Sequence, residues 1–129
     1  MKTRWLLVCF LFLSYCATTP PPWIPFSSNI NNFAMICTNV LEFYEYTNIV
    51  VEENKIQTEW LCKMQKNRAG GTRTKVVIQY TEQAFQIQVF QEKDISRNGS
   101  LHSMHAIWIP DGRNKKLEEE IGKYIQNRM

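Results

Sequence analysis

The residues predict an α+β domain in which an antiparallel sheet of three to four strands carries an N-terminal and a C-terminal helix on one face. Three observations support this. Apolar residues recur at helical spacing over 29–45. Apolar and polar residues then alternate over 55–65, 72–80 and 85–89, the pattern of half-buried strands. Helical spacing returns over 115–127. One wet sheet face and two amphipathic helices pack most economically as two layers.

The elements follow in order. Ser27-Ser28-Asn29 offers an N-cap, and Ile30, Phe33, Ala34, Cys37, Val40, Leu41 and Tyr44 form one continuous stripe. Residues 48–51 are short and β-branched, and 53–55 form a polar turn. Along 55–65, Ile56, Thr58, Trp60, Cys62 and Met64 point one way, with Leu61 out of pattern on the polar side. This alternation assigns Trp60 to the core. Gly70-Gly71 marks a loop over 67–71. In the next strand Val76, Ile78 and Tyr80 face inward, while Arg73, Lys75 and Gln79 form a solvated face. Phe85, Ile87 and Val89 mark the fourth strand after a turn at Glu82-Gln83.

Residues 92–114 are the least regular, with turn signals at Asn98-Gly99 and Pro110-Asp111-Gly112. A structureless loop of that length is uncommon in a compact domain, so a short strand is expected over 105–109. The last helix sets Leu117, Ile121, Tyr124 and Ile125 on one side. Glu118 and Glu119 sit near its start and Arg128 at its end, as the helix dipole favours.

Residues 1–15 read as a secretory signal peptide: Lys2 and Arg4, then an apolar run over 5–13. That run is shorter than the ~20 residues a bilayer span needs. Leu13-Ser14-Tyr15-Cys16 has the form of a bacterial lipobox, in which the Cys16 thiol takes a diacylglyceryl group and Cys16 becomes the mature N-terminus. Tyr15 departs from the small residue usual before that cysteine. Residues 16–27 then form a lipidated, proline-rich tether, with Pro20-Pro21-Pro22 favouring extended backbone. Trp23, Ile24 and Phe26 are expected to dock on the domain, which occupies 28–129.

The 129 residues carry 15 basic and 12 acidic groups; setting aside Lys2 and Arg4 in the leader leaves 13 against 12. That balance gives no electrostatic footprint for nucleic acid. Of four cysteines, Cys9 and Cys16 belong to the leader and its processing site. Cys37 and Cys62 fall on apolar faces, where a free cysteine acts as a small hydrophobe. Export leaves a Cys37–Cys62 disulfide between helix and strand open.

His102-Ser103-Met104-His105 is the only metal-like spacing, and no further ligand stands near it in sequence. It reads as a polar loop, so neither metal nor cofactor is expected. No nucleophile elbow, phosphate loop or dinucleotide fingerprint occurs, and no catalytic residue is assigned. Asn98-Gly99-Ser100 fits a glycosylation sequon, relevant only to a chain secreted by a eukaryote. Within 92–114, Leu101, Met104 and Trp108 are apolar without a regular period, which makes them the candidate partner-binding residues.

A helix, a hairpin reaching Ile56-Gln57-Thr58-Glu59-Trp60, and Arg73 opening the next strand resemble small bacterial outer-membrane lipoproteins of the NlpB/BamC type. In those an I-x-T-x-W strand stands at this place. Trp108, Asp111 and a final helix with Glu119 or Glu120 near its start extend the resemblance over about 28–128. Asn54-Lys55 stands where that group has a glycine. The resemblance implies a periplasm-facing helix-grip-like domain with an accessory, non-enzymatic role in envelope assembly. The expectation is therefore an outer-membrane lipoprotein that binds envelope proteins. The alternative is a small secreted binding domain bridged at Cys37–Cys62.

Overall fold

The computed structural model describes residues 19–26, 30–64, 71–96 and 107–129. Cys16, the residues 27–29 read as an N-cap, and Leu101, His102, Met104 and His105 lie outside them. The fold is α+β: an antiparallel sheet with two helices on one face. Among the described residues the sheet has seven strands, which corrects the expected three to four. In chain order they are β1 (Ile24–Pro25), β2 (Val50–Val51), β3 (Lys55–Gln57), β4 (Leu61–Met64), β5 (Gly71–Tyr80), β6 (Ala84–Asp94) and β7 (Trp108–Arg113). Helix α1 spans Phe33–Phe43 after a 3-10 turn at Ile30–Asn32, and α2 spans Lys115–Arg128. Among the described residues no helix is long and apolar enough to cross a membrane.

The count rises because short strands share the two long ones. β5 and β6 pair over nine positions, from Thr72 opposite Lys93 to Tyr80 opposite Phe85. β3 and β4 both pair with β5 along its other edge, and β1 and β7 both pair with β6. The expected strand over 55–65 is thus interrupted. Gln57 faces Val77 but Leu61 faces Thr74, so one extra residue is accommodated between them, a β-bulge.

Thr58 closes the gap. Its N–H donates to Val76 O at 3.0 Å, and its Oγ1 accepts the Val76 N–H at 3.1 Å where a backbone carbonyl would otherwise serve. The bulge inverts the alternation beyond it. Leu61 packs against the core, Cys62 is exposed, and Trp60 is half-buried. Three expectations are corrected together: Trp60 is not a core residue, Cys62 is not on the apolar face, and Leu61 is not out of pattern.

The core lies between the sheet and the helices. Phe33, Cys37, Val40 and Leu41 of α1 and Ile121 and Ile125 of α2 meet Ile56, Val76, Ile78, Phe85, Ile87 and Val89. Cys37 is fully buried and unbridged, on the opposite side of the sheet from Cys62. The Cys37–Cys62 disulfide of the alternative reading is therefore not formed. Burial pushes the Cys37 thiol far above its ordinary range, so it stays a neutral apolar filler.

Helix α1 ends in a Schellman turn. Tyr46 N–H donates to Leu41 O at 3.1 Å, and Glu45 N–H to Glu42 O at 2.9 Å. Glu45 holds the left-handed conformation (φ 71°) in which glycine is usual. Tyr46 is thereby turned into the interior, where its hydroxyl meets Thr74 Oγ1 at 2.7 Å. Helix α2 begins at Asn114, whose Oδ1 accepts the Leu117 N–H at 3.0 Å.

The N-terminal segment is docked along the sheet edge. Ile24 and Pro25 pair with Phe85 and Ala84, and Gln86 Nε2 donates to the carbonyl of buried Pro21 at 2.8 Å. Phe26 sits 4.9 Å from the Phe33 ring and 5.7 Å from Phe85. Ile24 also reaches the surface of α2, where a Cβ added at Gly122 would stand 3.0 Å from Ile24 Cδ1. Ile24 and Phe26 dock as expected, whereas Trp23 is 48% exposed.

Replacing Glu45 by glycine removes the left-handed strain while keeping both turn hydrogen bonds. Glu45→Gly is expected to raise stability by about 1 kcal/mol, read as a shift of the urea midpoint.

Candidate functional site

The helices cover one face of the sheet; among the described residues no helix covers the other, which is hollow. Its residues follow from the register. Lys55 faces Gln79, which faces Gln86; Gln57 faces Val77, which faces Gln88; and Lys75 faces Phe90. The next row sets Cys62, Arg73, Glu92 and Pro110 side by side. These strands enclose a concavity of about 890 Å³, bordered by Trp60, Pro110 and, from the docked segment, Pro20. Bulges flank it on both sides, one between β3 and β4 and one in β7, where the step from Arg113 to Pro110 spans one residue more than the facing step from Phe90 to Glu92. Bulges bend the strand that carries them, which suits a hollowed face.

Arg73 organises one end of this face. Its guanidinium carbon lies 4.6 Å from the Trp60 ring centre and 4.5 Å from that of Trp108. Trp60 approaches from the β4 side and Trp108 from the β7 side. Nε and Nη2 of Arg73 both donate to Glu92 Oε1, Nε at 2.7 Å. Each part has a local reason. The Thr58 bulge turns Trp60 outward, strand alternation places Arg73 opposite Glu92, and β7 brings Trp108 opposite Asp94. A guanidinium stacked on aromatic faces contributes about 0.5–1 kcal/mol per ring at exposed sites and more when desolvated. With its charge paired and its faces stacked, Arg73 holds both indoles in fixed positions.

The loop joining β6 to β7 is tied at its base. Asp94 Oδ1 accepts the N–H groups of Ser96, at 2.8 Å, and Ile107, at 3.1 Å, while Ile95 N–H reaches Ile107 O at 3.0 Å. The Ser96 amide holds the Asp94 carboxyl below the usual carboxylate range. Ile95 and Ile107 are 52% and 55% exposed beside this stem. The expected strand over 105–109 is β7, which begins at Trp108 and runs through Pro110-Asp111-Gly112 rather than turning there. An edge strand needs no amide proton on its outer side, so Pro110 is tolerated, and Gly112 takes a positive φ of 73°.

Where β7 stops short, a side chain completes the edge. Glu118 Oε2 accepts the Val89 N–H at 2.9 Å and stands 3.2 Å from Arg113 Nε, while Asn114 N–H donates to Val89 O at 2.8 Å. Burial raises the Glu118 carboxyl above its ordinary value, with the Val89 amide and Arg113 pulling the other way.

Of the partner-binding residues expected from sequence, Trp108 is half-buried on β7, whereas Leu101 and Met104 lie outside the described residues. Arg73, read as part of a solvated face, is instead the centre of the cluster. The sequence alternation places Trp60 in the core and gives Glu92 no role. The signal for Glu92 was weak: it lies opposite Arg73 only because β6 continues past Val89 into a segment without clean alternation. Among the described residues no three histidine, cysteine or carboxylate side chains gather as a metal site. No protein-family model matches this chain, and no curated protein matches it.

Two outcomes follow. Trp60→Ala is expected to cost about 1 kcal/mol, against about 3–5 kcal/mol for Phe33→Ala in the core, both read from urea midpoints. Because Glu118 is raised in the folded state, the folded chain binds its proton more tightly than the unfolded chain. Stability from this group therefore falls as pH rises through the carboxylate range to the raised value. Glu118→Gln removes that slope. Its stability relative to the parent is expected to improve from pH 4 to pH 7, measured by urea unfolding at each pH.

Proposed function

We propose that this chain is a non-enzymatic lipoprotein of the bacterial envelope, anchored in the outer membrane through a lipid on Cys16 and facing the periplasm. Its uncovered sheet face and the adjoining β6–β7 loop bind other envelope proteins. The observation that carries the binding surface is the Trp60–Arg73–Trp108 stack, held by Glu92 on a face that neither helix covers. Tryptophan and arginine are the side chains most enriched at binding hot spots, and fixing them beforehand lowers the entropy cost of association. The anchor rests on the 13–16 lipobox and the apolar run before it. The accessory role rests on the resemblance carried by Ile56, Thr58 and Trp60.

The test is in-cell crosslinking with Trp108→Ala and Arg73→Ala, alongside the intact mass of the membrane-extracted protein. The proposal expects a diacylglyceryl-modified Cys16, and loss of crosslinked partners by variants that still unfold cooperatively. An unmodified N-terminus ends the lipoprotein reading. Undiminished partner recovery by folded variants ends the binding-surface reading.

A further inference from the structure

We infer that the hollow outer face receives an acidic, extended polypeptide segment. This rests on the reading of that face as a partner surface and names the chemistry of the partner. The three rows from Lys55 to Phe90 contain two lysines, four glutamines, one valine and one phenylalanine, and no carboxylate. The carboxylate of the next row, Glu92, is taken by Arg73. Among the described residues neither Lys55 nor Lys75 takes part in an ion pair. The face thus presents two cations whose complement is supplied from outside.

Their spacing favours an extended chain. Lys55 stands opposite Gln79, four residues along β5 from Lys75, a separation of roughly 13 Å along the strand. An extended peptide advances by about 3.3 Å per residue, so carboxylates at positions i and i+4 match the two ammonium groups. In the rows the lysines span, Gln57, Gln79 and Gln88 each offer donor and acceptor groups, which suits a peptide backbone carrying both. Phe90, 37% exposed beside Lys75, provides an apolar contact for a side chain on the same segment. An anionic glycan shares the charge but draws on aromatic faces for stacking, and both indoles here already hold Arg73. The observations favour the peptide.

The test titrates the purified full-length protein with a nine-residue synthetic peptide carrying glutamates at i and i+4. A twin with glutamine at both positions and polygalacturonate serve as comparisons. The expected result is saturable binding of the acidic peptide that weakens with added salt. Lys55→Glu and Lys75→Glu should each weaken it by roughly tenfold with the unfolding transition unchanged. Equal binding of the glutamine twin, indifference to both charge reversals, or binding of polygalacturonate in place of the peptide overturns the inference. If the peptide fails while crosslinking still depends on Trp108, the partner surface stands and the acidic segment falls. If both fail, the two readings fall together.

Discussion

The nine-position ladder between β5 and β6 is the constraint on which the rest of the molecule depends. Among the described residues it is the only pairing long enough to present a full apolar face, with Val76, Ile78 and Tyr80 set against Val89, Ile87 and Phe85. Every other strand is two to six residues long and joins this hairpin directly, except β2, which joins through β3. Two-residue strands do not persist alone, so β1 and β2 exist because an edge was already in place to receive them. The helices depend on it in turn, since α1 and α2 bury their stripes on the face the ladder offers.

The same ladder sets the geometry of the opposite face. One pleat that sends Val76 and Val89 inward sends Lys75, Arg73 and Glu92 outward, so core and binding surface share a register. Slipping the hairpin by one residue would exchange the two faces. The departures from regularity gather at the flanks. Thr58 substitutes a hydroxyl for a carbonyl on one side, and Glu118 substitutes a carboxylate for a missing strand on the other. Both are side chains doing backbone work, and both let the sheet bend without leaving a buried amide unpaired.

These substitutions mark the limit of what could be read from residues alone. The helical stripes and the inward residues of β5 and β6 were legible because periodicity of 3.6 or 2 survives intact there. The I-x-T-x-W stretch was not. Ile56, Thr58 and Trp60 have the spacing of one face, yet Ile56 enters the core, Thr58 closes the bulge, and Trp60 ends on the far side. A bulge leaves the sequence alternation unmarked and reverses its meaning; the misplaced Leu61 was the single trace. Pro110-Asp111-Gly112 misled for a different reason. Turn chemistry is local, whereas β7 is held by a long-range edge that tolerates proline and uses the freedom of Gly112. The Trp60–Arg73–Trp108 cluster was illegible because its members come from three separate strands or their margins.

The docked proline segment bears on how this domain would sit in a cell. A run of three prolines suggests a stalk that lifts a domain clear of its anchor, but here Pro21 is buried and its carbonyl is held by Gln86. Five residues of reach separate Cys16 from Pro21, the first one held, a leash of at most ~18 Å even when fully extended. On the lipoprotein reading the domain is kept within that short reach of the bilayer. Pro20 borders the outer concavity, so the hollow face opens close above the lipid. On that same reading its partner is met near the membrane surface rather than far out in the periplasmic space.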